Sequence, residues 1–134
     1  MEITVAVLAD AANVAAGDKL NIMGAFDGIL AHTFPAVHPF MALAVRFRLE
    51  YEDGGRTHDL TVTMKDDDGG EGGKAEARMT VVAIPAGEFA SVNHILNFAG
   101  IVFSKPGRFY FEIAWDGQVK ATVPLMVKQA QESA

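Results

Sequence analysis

The sequence predicts an all-β protein, a mostly antiparallel β-sandwich of eight or nine strands. Apolar side chains recur at every second residue through most of the chain, as they do in strands with one buried face. Turn-forming residues return about every eight to twelve residues, and no segment longer than one or two turns has a helical period. Immunoglobulin-like and jelly-roll topologies both fit this pattern, and a closed barrel is the main rival.

Three strands are predicted in the N-terminal quarter, at residues 3–7, 19–26 and 28–32. A turn at Asp27-Gly28 separates the last two, because glycine accepts positive φ. Residues 9–16 instead fit a short helical turn that Asp10 caps, and Gly17-Asp18 fits a hairpin tip.

The middle of the chain holds the clearest strand, residues 41–51. Its predicted inward face carries Met41, Leu43, Val45, Phe47, Leu49 and Tyr51. Its predicted outward face carries Ala42, Ala44, Arg46, Arg48 and Glu50. The same alternation predicts strands at 57–65 and 76–84, and Pro85 ends the latter because proline lacks a ladder donor.

The C-terminal third predicts three more strands, at residues 91–103, 108–115 and 118–128. Asp116-Gly117, between the last two, is the strongest short hairpin signal in the chain. Residues 90–96 also fit a short helical turn. We expect one domain over residues 1–128 and a frayed polar tail over 129–134.

Composition narrows the class of protein. The chain has 134 residues, of which half are hydrophobic and none is cysteine, so thiolate metal sites and cysteine nucleophiles are excluded. The net charge of −6 disfavours nucleic-acid binding. An acidic, alternating N-terminus does not resemble an export signal, and no apolar run is long enough to cross a bilayer. We expect a cytoplasmic protein that does not bind membranes.

Oxygen-bearing side chains cluster in two places. Five of them fall within residues 10–27, namely Asp10, Asn13, Asp18, Asn21 and Asp27. A loop from Asp66 to Glu71 crowds four carboxylates. Both could supply calcium ligands, but the spacing matches no EF-hand, and turn chemistry or a solvated loop is the favoured interpretation. The four histidines lack zinc-site spacing and no serine lies in a nucleophile elbow, so we predict no metal, no cofactor and no catalytic residue.

Residues 91–103 depart from simple alternation, because apolar side chains occupy both parities. A strand with one wet face does not have this pattern, so its second face is expected to be covered. Outward positions elsewhere, including Ala6, Leu8 and Val82, are also small or apolar. Since a short chain offers little for a third layer, we expect contact with a second molecule. The predicted interface residues are Leu96, Phe98 and Val102, with Ala114 and Ile84 as weaker candidates.

Three blocks of sequence resemble a known family when taken together. They are VLADAANVAAGDKLNIMGAFDGI, FPAVHPFMALAVRF and NHILNFAGIVFSKPGRFYFEIAWDG. In order and spacing they resemble an uncharacterised family of short bacterial single-domain proteins, over about Thr4 to Val127. The resemblance implies a compact β-sandwich and carries no activity. The last block also resembles the final hairpin of immunoglobulin-like modules, with Phe109 at the usual tyrosine position.

These observations favour a non-enzymatic binding or assembly module that acts through an apolar sheet face, either by self-association or with a protein partner. An alternative is a calcium- or carbohydrate-responsive module that uses its acidic loops. A small hydrolase with dispersed carboxylates is the least favoured function.

Overall fold

The computed structural model describes residues 1–131, and this part of the chain is all-β with nine strands, as predicted. The strands are β1 (Glu2–Ala15), β2 (Lys19–Phe26), β3 (Gly28–Ala31), β4 (Ala36–Leu49), β5 (Arg56–Asp66), β6 (Glu71–Val81), β7 (Ala90–Phe103), β8 (Gly107–Trp115) and β9 (Gln118–Gln129). A single 3-10 turn, Tyr51–Asp53, joins β4 to β5. Within this part of the chain no helix is long and apolar enough to span a membrane.

The strands form two sheets. The four-stranded sheet has the order β2-β1-β4-β7, and the five-stranded sheet has the order β3-β9-β8-β5-β6. Every strand pairing within residues 1–131 is antiparallel except the short pairing of β3 with β9. β6 and β7 follow each other in the chain, yet each is the terminal strand of a different sheet.

One hydrophobic core is shared by the inner faces of both sheets. The alternation of strand side chains places every second residue of β4, β5 and β8 in this core. Aromatic contacts join the two sheets: the rings of Phe47 and Trp115 lie 5.3 Å apart, and those of Phe98 and Phe111 lie 5.5 Å apart. The largest fully buried side chains are Phe47, Phe103, Phe111, Leu8, Met41, Leu43, Leu49, Leu60, Ile113 and Leu125.

Residues 9–16 are not helical, so that prediction is wrong. They continue β1 to Ala15 and pair with β2, which satisfies their backbone groups in a ladder. The predicted hairpin tip is confirmed, since Gly17 and Asp18 connect the two strands with φ of 81° and 56°. The predicted helical turn at residues 90–96 is also wrong, because these residues lie in β7.

The tip of the β1–β2 hairpin contacts the outward side chains of β4 and β7 in the same sheet. Arg46 of β4 and Asn93 of β7 both donate to the Asp18 carbonyl at the hairpin tip, at 3.3 and 2.9 Å. The hairpin tip therefore reaches over the outer face of these two strands. Ala42 and Ala44, which were predicted to face outward, lie there with no exposed surface.

The C-terminal boundary differs slightly from the expected one. Gln129 belongs to β9, and the Ala130 N–H donates to the Ala31 carbonyl at 2.8 Å. The regular strand structure therefore extends beyond residue 128. The rest of the predicted tail, residues 132–134, lies outside the described residues.

Candidate functional site

A cleft opens between the two sheets where β6 and β7 lie side by side without pairing. Its volume is about 680 Å³, and its lining combines the edges of both strands with core side chains behind them. Gly72 and Gly73 of β6 have no side chains with which to close it. The residues along the cleft are Val62, Met64, Gly72, Gly73, Lys74, Ala75, Leu96, Asn97, Phe98, Gly100, Ile101, Val102 and Phe111.

The three main predicted interface residues all line this cleft, but they do not share one outer face. Leu96 and Phe98 pair with Leu43 and Met41, which are fully buried core residues, so their side chains lie on the core side of β7. Both are only half-buried and pack against the core. Val102 lies on the opposite side and is 57% exposed.

Gly100 explains the two apolar parities of β7. It has a φ of +66°, and the inward parity changes at this residue. Before it, Leu96 and Phe98 face the core; after it, Ile101 and Phe103 do. The strand changes face in mid-course, so the apolar run does not require two covered faces along its whole length.

The two weaker interface candidates lie elsewhere. Ile84 is buried in the core with 6% exposure, and Leu8 is fully buried, so the expectation that these side chains face outward is wrong. The chain between β6 and β7 turns Ile84 inward, whereas Val82 is 79% exposed as predicted. Ala114 is half-buried on β8, between Thr61 and Val119, away from the cleft.

The two edges of the cleft differ in charge. β7 pairs with β4 along one side, and no strand among residues 1–131 pairs with its other side. Its 14 residues include no Asp, Glu, Lys, Arg or Pro. β6 carries Glu71, Lys74, Glu76 and Arg78. Natural edge strands usually carry charge, proline or bulges that prevent unwanted pairing with another strand. β6 has this protection in its charged side chains, whereas β7 has only its irregularity at Gly100.

The three aspartates of the acidic loop have partners within the protein. Asp66 Oδ1 accepts from the N–H groups of Asp68 and Gly70 at 2.9 and 2.8 Å, the geometry of an Asx turn. Asp67 accepts from the Tyr110 hydroxyl at 2.8 Å, and Asp68 accepts from Lys105 at 3.2 Å. No group of three or more potential ligands able to hold a metal ion occurs in the described residues.

The oxygen-bearing side chains near the N-terminus also serve local structure. Asn21 Nδ2 donates to Asn13 Oδ1 at 3.0 Å across the β1–β2 hairpin. Asp10 packs so closely over Gly24 that a Cβ at position 24 would lie 2.4 Å from its carboxylate. These contacts support a structural role in turns and strand packing for the side chains of this stretch.

A buried histidine forms a network that the sequence did not indicate. His58 is 2% exposed and stacks on Trp115 with ring centroids 4.6 Å apart. Its Nδ1 lies 2.6 Å from Asp116 Oδ2, and its Nε2 lies 2.8 Å from the Asp53 carbonyl oxygen. Both partners accept hydrogen bonds, so both ring nitrogens donate when the imidazole is protonated, and the site favours this cationic form.

Two opposing effects set the pKa of His58. Burial opposes the charge, but the hydrogen bonds to Asp116 and Asp53 outweigh it and raise the pKa of His58 above its usual value. The bond from His58 lowers the pKa of Asp116. His94 on β7 differs, because burial lowers its pKa. Since His58 is enclosed, its network stabilises the loop ends of β5 and β8 and offers no substrate access.

Residues 4–128 match the model of a family of unknown function, DUF6941. This confirms the part of the resemblance that concerns an uncharacterised family. No curated protein matches the chain.

Proposed function

Since the chain belongs to DUF6941, a family of unknown function, we propose a function from the geometry: a non-enzymatic assembly module that binds another polypeptide by strand addition at β7. The added strand pairs with the free backbone groups of β7 and places alternate side chains in the cleft beside β6. The observation that carries this proposal is a 14-residue edge strand without a charged residue, next to an apolar cleft.

Strand addition matches the chemistry of the site. Each main-chain hydrogen bond formed at the edge contributes about 0.5–1.5 kcal/mol net, so several bonds along β7 give useful affinity. Leu96 and Phe98 are half-buried in the isolated chain, and an added strand covers their remaining apolar surface. Lys74 and Asn97 are the only charged or polar residues among those that line the cleft, which favours binding over catalysis.

We further propose that the two sheets form an immunoglobulin-like sandwich. In the immunoglobulin order, one sheet contains strands A, B, E and D, and the other contains G, F and C, with C′ added in variable-type domains. β1, β4 and β7 correspond to A, B and E, while β9, β8, β5 and β6 correspond to G, F, C and C′. This correspondence favours the immunoglobulin-like topology over the jelly roll.

The correspondence also identifies the position of the added strand. In an immunoglobulin domain, strand D pairs with the free edge of E. Here residues 82–89 lead from β6 directly to β7 without forming a strand. The incoming segment therefore takes the place of strand D.

A peptide experiment tests strand addition. The probe is a synthetic peptide with the sequence of residues 90–103, flanked by lysines for solubility and fluorescently labelled; a scrambled peptide is the reference. We expect the ordered peptide alone to bind in fluorescence anisotropy. Binding should be lost in Asn97→Lys, which places a charge at the middle of the exposed edge, and kept in the control Val119→Lys on β9.

Equal binding of both peptides, or of the ordered peptide to both variants, would contradict strand addition at β7.

A further inference from the structure

Building on the proposed strand addition, we infer that the strand added at β7 is β7 of a second copy of this chain. The two β7 strands pair antiparallel about a two-fold axis, which continues the four-stranded sheet across the dimer and brings the two β6 strands to face each other. The occupant of the edge must be an extended segment with free backbone groups, and β7 of a second copy, which carries no charged residue, has that form. Although the chain carries a net charge of −6, no like charges meet along β7 itself.

The middle of β7 is self-complementary. Asn97 lies near its centre, with seven residues of the strand before it and six after it. A two-fold axis through Asn97 places Leu96 opposite Phe98 of the second copy, and Phe98 opposite its Leu96. Both side chains lie on the core side of β7, so the two pairs bury the half-exposed apolar surface of the cleft.

The charges of β6 fit the same axis. Lys74 and Glu76 flank Ala75, and Lys74 Nζ lies 3.4 Å from Glu76 Oε1 within one chain. A two-fold axis at Ala75 places Lys74 opposite Glu76 of the second copy and Glu76 opposite its Lys74. Opposite charges therefore face each other at both symmetric positions.

A single axis requires the middle of β6 and the middle of β7 to lie beside the same cleft. Lys74 and Ala75 of β6 line the same cleft as Leu96, Asn97 and Phe98 of β7. One axis can therefore pass Asn97 of the two β7 strands and Ala75 of the two β6 strands. The pairing of β7 and the charge order of β6 are separate features of the sequence, and both fit this arrangement.

The test is the molar mass of the full chain in solution, measured by sedimentation equilibrium from about 1 to 100 μM. We expect twice the chain mass of 14.3 kDa. Lys74→Glu and Glu76→Lys each make both symmetric contacts repulsive and should weaken the dimer about tenfold. The double exchange Lys74→Glu/Glu76→Lys should restore it. Lys120→Glu, an exposed residue of β9, is the control with the same charge change as Lys74→Glu.

Circular dichroism confirms that each variant is folded before its mass is compared. A monomer at 100 μM overturns the inference, and if the β7 peptide still binds that monomer, strand addition itself stands. A dimer whose stability is unchanged in Glu76→Lys and Asn97→Lys also overturns it, because that dimer uses a different surface. Loss of the dimer in the singles with recovery in the double exchange supports it.

Discussion

The His58 network predicts a pH-dependent contribution to stability that Asp116→Asn removes. Asparagine tolerates the positive φ of 49° at this position and keeps the size of the side chain. It removes the carboxylate that lies 2.6 Å from His58 Nδ1, so the buried imidazolium loses its charged partner. Asp53, also buried, and Arg56 remain as the other charged groups that act on His58.

The size of the effect follows from the geometry. A hydrogen bond between charged groups contributes about 1.5–3 kcal/mol, and one partner here, His58, is almost fully buried. Asp116 is 48% exposed, and solvent screening reduces the value to about 1–2 kcal/mol. For a chain of this length, that loss lowers Tm by about 3–8 °C.

The sign with pH is fixed by the two pKa shifts. The pKa of His58 is raised above 6.5, so its stabilisation is fully present below pH 6.5 and is lost as pH rises through the folded pKa. The pKa of Asp116 is lowered below 3.8, so its stabilisation is present above pH 3.8 and is lost as pH falls through the folded value. The pair therefore contributes most between these two values.

Urea unfolding at pH 5.0, 6.0 and 8.5 measures the prediction, with Asp27→Asn at an exposed turn as the control. We expect Asp116→Asn to be less stable than the wild type at pH 5.0 and 6.0. The two should converge at high pH, because the asparagine amide can donate to a neutral Nδ1. An NMR titration should show a lower pKa for His58 in the variant. A constant stability difference from pH 5.0 to 8.5, or an unchanged His58 titration, would refute the reasoning.

Two further substitutions test the packing around β7. Gly100→Ala should lower the free energy of unfolding in urea by about 1 kcal/mol through its positive φ alone, since the added Cβ meets open space. The control Gly73→Ala has similar space and no positive φ, so its free energy of unfolding should change little. Equal effects of the two substitutions would argue against the change of face at Gly100. Ile84→Ala should lower the free energy of unfolding by about 2–4 kcal/mol because Ile84 is in the core. The control Val82→Ala, at an exposed position, should change it by no more than about 0.5 kcal/mol. A larger effect at Val82 than at Ile84 would be inconsistent with this placement.

The strands were predictable because their signal is local. The alternation in residues 41–49 and the Asp116-Gly117 turn correctly predicted the core face of β4 and the β8–β9 hairpin. Tyr51, predicted to face inward, instead lies in the 3-10 turn and is 64% exposed. The alanine-rich residues 9–16 were misassigned, because a run of small side chains has no clear period. Pairing with β2 and packing over the outer face of the sheet decided their conformation.

The signal for the change of face in β7 was present in the sequence as Gly100 inside a strand, a residue that often marks an irregularity. Two apolar parities indicate two covered faces only in a strand that alternates regularly, and Gly100 interrupts that alternation. The His58–Asp116 bond had no comparable signal. It joins residues 58 positions apart that only the approach of β5 to the β8–β9 turn brings together.

The all-β class and most strand positions follow from the amino-acid sequence alone, because the two-residue period and turn chemistry act between neighbours along the chain. The tertiary structure decided which face each apolar residue occupies and which edge remains open. Both depend on strand order, which sets β6 and β7 at the ends of different sheets and folds the β1–β2 hairpin over β4 and β7. Contacts between residues far apart in sequence fix that order, and local periodicity carries no record of them.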